Sequence, residues 1–160
     1  MAVLLLTALV AATSAGQRAR DGFGLEVRTL VETVTPGPDG AGTRPVALPP
    51  ETVPQPGEAL VYTVRFRNSG LGLVDGVRIT KPLPPEVRYV AGSASGPGCD
   101  VLFSVDGGRT FGQPSELSVR GADGAFRPAG PDDYTHIRWR LLTPLAAKGT
   151  GFVRFRALAR

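Results

Sequence analysis

The sequence has one cysteine and one histidine, and beyond its first sixteen residues no stretch carries helical spacing. Each shortage closes off a class of function. With Cys99 alone no intramolecular disulfide can form, so the core must hold by packing; a lone thiol could pair only between chains. A zinc site needs three or four Cys, His or carboxylate ligands, and one Cys with one His cannot supply them without two acids. A Cys99–His136 nucleophile pair would need both groups within hydrogen-bond reach and a third group to orient the base, and nothing in the sequence requires that. Gly70, Gly72 and Gly76 lack the following helix and lysine of a phosphate-cradling loop. Aromatic residues make up only 7%, no helix carries a basic stripe and no stacking aromatics interleave with the charges, so the formal charge of +4, almost all arginine, falls short of a nucleic-acid signature. It aids solubility and attracts polyanions weakly.

Short apolar runs between turn residues fill the rest. Hydrophobic residues reach 42%, enough for one globular interior, and the 21 glycines and 15 prolines punctuate many short strands. The clearest lies at 60–68, where Leu60, Tyr62, Val64 and Phe66 alternate with Val61, Thr63, Arg65 and Arg67 before Asn68-Ser69-Gly70 ends it. Further strands are predicted at 25–35, with Leu25 and Val27 on one face, and at 74–80, with Val77 and Ile79 inward. The series continues at 87–91, 101–105, 136–141, with Ile137, Trp139 and Leu141 inward, and 153–157. Residues 36–42 are a Pro-Gly turn cluster, and 46–56 is Pro-rich, extended and suited to an edge. Strands every ten residues or so with turns between them predict an all-β, immunoglobulin-like antiparallel β-sandwich spanning residues 25–160.

Residues 1–15 read as a signal peptide and 16–24 as a short linker. Val3 to Leu6 and Ala8 to Ala12 form a brief apolar stretch that closes on Thr13, Ser14 and Ala15, too short to span a bilayer. No Lys or Arg precedes it. The expected location is extracytoplasmic, with no transmembrane span in the mature chain.

From about Pro56 to Leu158 the chain resembles the conserved repeat domain of bacterial surface proteins, domain of unknown function family eleven. The likeness rests on Pro56-Gly57-Glu58, Tyr62-Thr63-Val64 leading to Asn68-Ser69-Gly70, and Val77-Arg78-Ile79-Thr80 with Leu83-Pro84. Tyr89-Val90-Ala91-Gly92-Ser93, Ile137-Arg138-Trp139 and Gly151-Phe152-Val153 complete it. The resemblance implies a sandwich fold in exported proteins, structural, adhesive or spacer roles, and no catalytic residues or cofactor. Many members continue into a further strand after the one matching 151–158, which directs attention to that strand. Either 151–158 is an open edge that accepts a partner's strand, or 25–35 or the hairpin described next covers it.

Ser104-Val105-Asp106-Gly107-Gly108-Arg109-Thr110-Phe111 looks like an Asp-box, a hairpin of secreted β-proteins. Asp106 can accept N–H bonds from the turn, Gly108 permits a left-handed bend and Phe111 can pack beneath; Ser104 and Thr110 complete the pattern. The expected role is structural. Asp106, Asp123, Asp132 and Asp133 show no calcium-loop spacing and read as solvated turn acids.

One surface suggests a ligand. If strands 60–68 and 136–141 are neighbours, Arg65, Arg67, Arg138 and Arg140 share an outer face able to hold an anionic polysaccharide. The first functional expectation is a non-catalytic structural or interaction module of a bacterial envelope, partnered by another envelope protein through strand addition. The second is a binding module for anionic glycans. Mass spectrometry of the native protein tests the compartment. Cleavage near Ala15 is expected, and a cytoplasmic protein that keeps Met1 would overturn export.

Overall fold

A computed structural model of the chain describes residues 25–36, 43–49 and 52–160; the leader, the linker and most of the 36–42 turn cluster lie outside the described residues. The chain is all-β and its sheets are antiparallel. A five-stranded sheet contains β1 (Leu25–Pro36), β2 (Thr43–Ala47), β3 (Ala59–Asn68), β5 (Val87–Tyr89) and β10 (Thr150–Ala159), in the order β2-β1-β3-β10-β5. A three-stranded sheet contains β4 (Arg78–Pro82), β6 (Cys99–Ser104) and β9 (His136–Leu141), in the order β4-β9-β6. A small ribbon pairs β7 (Ser118–Arg120) with β8 (Phe126–Pro128), preceded by a single 3-10 turn at Pro114–Glu116.

Alternation decides which side chains meet. Leu60, Tyr62, Val64 and Phe66 of β3 and Val153, Phe155 and Ala157 of β10 are buried on one side of the large sheet, and Ile79, Phe103, Ile137 and Trp139 of the small sheet are buried with them. The two sheets therefore share one core in a sandwich-like arrangement. Trp139 and Phe155 are both fully buried with ring centroids 6.2 Å apart, and Tyr62 stacks on Phe155 at 4.6 Å. Trp139 Nε1 finds no hydrogen-bond partner, so apolar contact alone holds the indole. Gly151 lies directly against Phe66, where a Cβ would come within 2.3 Å of the ring.

One end is closed by a buried amide. Asn68 is completely buried; its Nδ2 donates to the carbonyls of Gly72 (2.7 Å), Ala146 (3.0 Å) and Leu145 (3.2 Å), and its Oδ1 accepts from the Gly70 N–H (3.0 Å). One side chain thereby ties the loop after β3 to the loop before β10. Val74 and Leu145 exchange backbone bonds just beyond it.

The structure corrects several expectations. Strand 151–158 is no edge: β10 runs between β3 and β5, and β1 pairs with β3. The fourth strand begins later than 74 and reaches Pro82, which an edge strand tolerates because one side of it needs no donor. Cys99 opens β6 and is partly buried against the core.

Trp139→Ala is expected to destabilise the fold by about 3–5 kcal/mol in chemical denaturation, the cost of emptying so large a site. A loss below about 1 kcal/mol would be that of a surface residue and would overturn the packing.

Candidate functional site

The polar groups of the small sheet's outer face are tied to one another. β6 and β9 align Ser104 with His136, Leu102 with Arg138 and Asp100 with Arg140, all facing away from the core. Yet Ser104 is completely buried, because the chain after β6 folds back over it. Ser104 Oγ donates to Asp106 Oδ1 (2.7 Å) and accepts from the Gly108 N–H (2.9 Å). Asp106 Oδ1 also accepts from the N–H groups of Arg109 and Thr110, both at 3.0 Å, and its Oδ2 accepts from Thr110 Oγ1 (2.6 Å). Gly107 and Gly108 take φ of +77° and +85°, which the turn needs and a side chain would resist. Phe111 packs against the small sheet: its ring lies 3.5 Å from the Arg138 guanidinium carbon and edge-on to His136.

The hydrogen bonds from Thr110, Ser104 and Arg109 hold the Asp106 carboxyl far below the usual carboxylate range. Burial, then the Arg138 charge, keeps His136 below its ordinary value although Asp106 pulls the other way. His136 lies at the opposite end of the β6–β9 pair from Cys99, which pairs with Leu141, and on the opposite face, so no nucleophile–base pair forms. The thiol is pushed up by burial and by Asp100, away from reactivity. The remaining turn acids are also engaged. Asp133 pairs with Arg127 at 2.7 Å, Asp132 with Arg160 at 3.0 Å, and Asp123 accepts from the Ala125 N–H. Among the described residues no group of three His, Cys, Asp or Glu side chains could hold a metal.

The four arginines expected on one face are split between two. Arg65 and Arg67 lie outside the large sheet, Arg138 and Arg140 outside the small one, with the core between. Alternation in sequence tells which side of its own sheet a residue takes, not which sheet that is; β3 is flanked by β1 and β10, and β9 by β4 and β6. Arg138 and Arg140 are moreover occupied. Arg138 Nε donates to Thr80 Oγ1 (2.9 Å) beneath Phe111, and Arg140 pairs with Asp100.

What the sequence reading missed is the larger basic face. Outside the five-stranded sheet the register sets Arg28 directly opposite Arg65, with Arg67 two residues along; Arg154 and Arg156 follow on β10 and Arg88 on β5. All six are exposed, and the acids that share the face with them within the described strands are Glu26 and Glu32 of β1. Among the described residues the three ion pairs use Arg127, Arg140 and Arg160, none from this face. The signal was present as Arg every second residue at 65–67 and 154–156; adjacency of those two strands was not legible.

The inner side of the large sheet is not fully covered. Phe66 and Val64 of β3 are 5% and 2% exposed, but Val27, their neighbour on the same face of β1, is 50% exposed and Leu25 is 38%. β5 meets β6 through Tyr89 and Phe103 (5.4 Å) and β10 meets β9 through Phe155 and Trp139, so β4 falls over β3. Along β1 the inner face is covered at Val31 and Thr33 and open at Leu25 and Val27. β4 is thus a free edge beside an open apolar strip.

The chain matches no family model, no curated protein and no solved structure. Its geometry must carry the functional argument. No helix among the described residues is long and apolar enough to cross a membrane.

Because the Asp106 carboxyl is depressed in the folded state, its contribution to hairpin order is full above the ordinary aspartate pKa of about 3.9 and is lost as pH falls through the depressed value. Asp133, held down to about 2 chiefly by Arg127, behaves in the same direction. Protection of the Arg109 and Thr110 amides, their exchange rate relative to that of an unstructured chain at the same pH, should therefore stay unchanged from neutrality to about pH 4 and fall only in stronger acid. Asp106→Ala should show that low protection already at neutral pH, with Trp139 still buried by fluorescence; unchanged protection in that variant would remove Asp106 from its structural role.

Proposed function

We propose that this chain is a non-catalytic, immunoglobulin-like interaction module exported to a bacterial envelope or surface, where it holds an extended strand of another envelope protein. The apolar leader at 1–15 and the likeness to the surface-protein repeat domain support the compartment. One observation carries the binding mode: the edge of β4, unpaired among the described residues, stands beside the open inner end of β1 at Leu25 and Val27. A strand added to that edge would gain main-chain bonds from β4 and cover Leu25 and Val27.

The occupant is a lone strand, not another sandwich. A second copy joined through its own β4 would bring its own β3 into the space that β1 already fills, since β3 lies beneath β4 in each copy. The side chains of the donor follow from the groove. Positions facing inward would be apolar, to meet Leu25 and Val27. Positions facing outward would be acidic, because Arg78 on the edge strand is exposed and belongs to none of the ion pairs among the described residues. The polar side chains of the small sheet's outer face and its turns are engaged in holding the 104–111 hairpin and the neighbouring turns.

A synthetic eight-residue peptide alternating valine and glutamate tests the reading. At saturation it should slow hydrogen exchange of the β4 amides that point away from β9, those of Arg78 and Thr80. Val27→Asp, at an exposed position, should change stability by less than about 0.5 kcal/mol yet abolish that protection. Absence of protection at β4, or equal protection in the Val27→Asp protein, would overturn the proposal.

A further inference from the structure

We infer that the outer face of the five-stranded sheet is a binding surface for a linear anionic polysaccharide, carried by Arg28, Arg65, Arg67, Arg154, Arg156 and Arg88. The six do not form a round patch. In register, Arg67 stands between Glu26 and Thr150, and the next row holds Arg28, Arg65 and Phe152. Arg154 lies beside Thr63, Arg156 beside Val61, and Arg88 beside Leu158. The guanidinium groups therefore run as a diagonal band from β1 at one end of the sheet to β5 at the other. The rows of Arg67 and Arg88 are eight residue steps apart along β3, roughly 27 Å at the usual strand rise, so the band suits an extended chain bearing repeated negative groups.

Charge complementarity names the ligand class. Each guanidinium can grip a carboxylate or sulfate with two parallel bonds, and those of this band are exposed and outside the three ion pairs found among the described residues. The opposite outer face is the internal control. There Arg138 is stacked under Phe111 and bonded to Thr80, and Arg140 is paired with Asp100. A nucleic acid fits less well, because Phe152 is the one aromatic ring in the band and single strands are held on successive rings. A lipid surface fits less well too: membrane binding of a folded face draws on a buried apolar area, and here Phe152 is the single large apolar side chain counted as exposed on that face.

The test compares two proteins of equal net charge. Arg65, Arg67, Arg154 and Arg156 are changed to Gln in one; Arg78, Arg109, Arg120 and Arg140, all off the band, are changed to Gln in the other. Both are first checked for native thermal unfolding. Affinities for heparin and for polygalacturonate are measured by titration at about 0.1 M salt, where exposed charges further apart than about 10 Å are largely screened. The band variant should bind at least one of the two glycans tenfold or more weakly than wild type, while the control stays within threefold. Which polymer responds tells sulfate from carboxylate recognition. Equal weakening of both variants would reduce the effect to net charge and overturn the site. So would unchanged binding by the band variant, or band-selective loss on phosphatidylglycerol vesicles or a DNA duplex with none on either glycan. If the band variant does not fold natively, Arg154→Gln with Arg156→Gln alone is measured against Arg78→Gln with Arg120→Gln, by the same criterion. The peptide experiment at β4 reads a different edge and stands or falls separately.

Discussion

Contact between Trp139 of one sheet and Phe155 of the other is the constraint on which the remaining structure depends. Both rings are fully buried, and Tyr62 stacks on the far side of Phe155, so three aromatic side chains fix how the sheets stand against each other. Once that contact is set, the pleat leaves no freedom along β3, β9 and β10. Every second side chain must enter the core and every intervening one must face out. A slip of one residue in β9 would exchange Trp139 for Arg138 or Arg140 in the interior, a cost that no neighbouring group could offset. The arginines are thus the outward half of the same pattern that buries the core.

The sheets differ in width, and function follows from the difference. Three strands cannot cover five. Those that exist lie over β3, β10 and β5, where the aromatic contacts are, and leave Val27 and Leu25 half-covered on β1. The outer faces are unequal as well. A hairpin closed by Asp106 folds across the small sheet, buries Ser104 and engages Arg138 through Phe111, whereas the large sheet carries its arginines uncovered. One domain therefore offers, among its described residues, an edge without a neighbouring strand and a face where arginines outnumber carboxylates, at different places and for different chemistry.

Much of this was legible in the sequence, and the parts that were not have a common cause. Alternation at 60–68 and 136–141 identified the inward side chains, and parity alone would also have placed Asn68 inside, two residues beyond Phe66. It was read as turn chemistry because Asn-Ser-Gly ends strands; in the structure it both ends β3 and bonds the carbonyls of Leu145 and Ala146 across the end of the fold. The local hydrogen bonds of the 104–111 hairpin could be anticipated because both partners lie within a few residues. Strand order could not, since pairing β10 with β3 joins segments some ninety residues apart and no residue in either names its partner. For that reason the individual outward arginines were visible while the face they compose was not, and two of the four first grouped together lie across the core from the others.

Folding alone gives no reason for the arrangement of the band. Like charges set directly opposite on adjacent strands destabilise a sheet, by up to about 1 kcal/mol for a pair, and Arg28 stands directly opposite Arg65. Solubility could be met by interspersing signs, as the small sheet does with Asp100 beside Arg140. On the large sheet the carboxylates are confined to β1, in rows that leave Arg65, Arg154 and Arg156 without an acidic cross-strand neighbour. A bound polyanion would remove that repulsion and stabilise the sheet by the same interactions that give it affinity, so binding and stability are linked through these residues. A polyanion on the uncovered face would then complete from outside an electrostatic pattern that the fold leaves open.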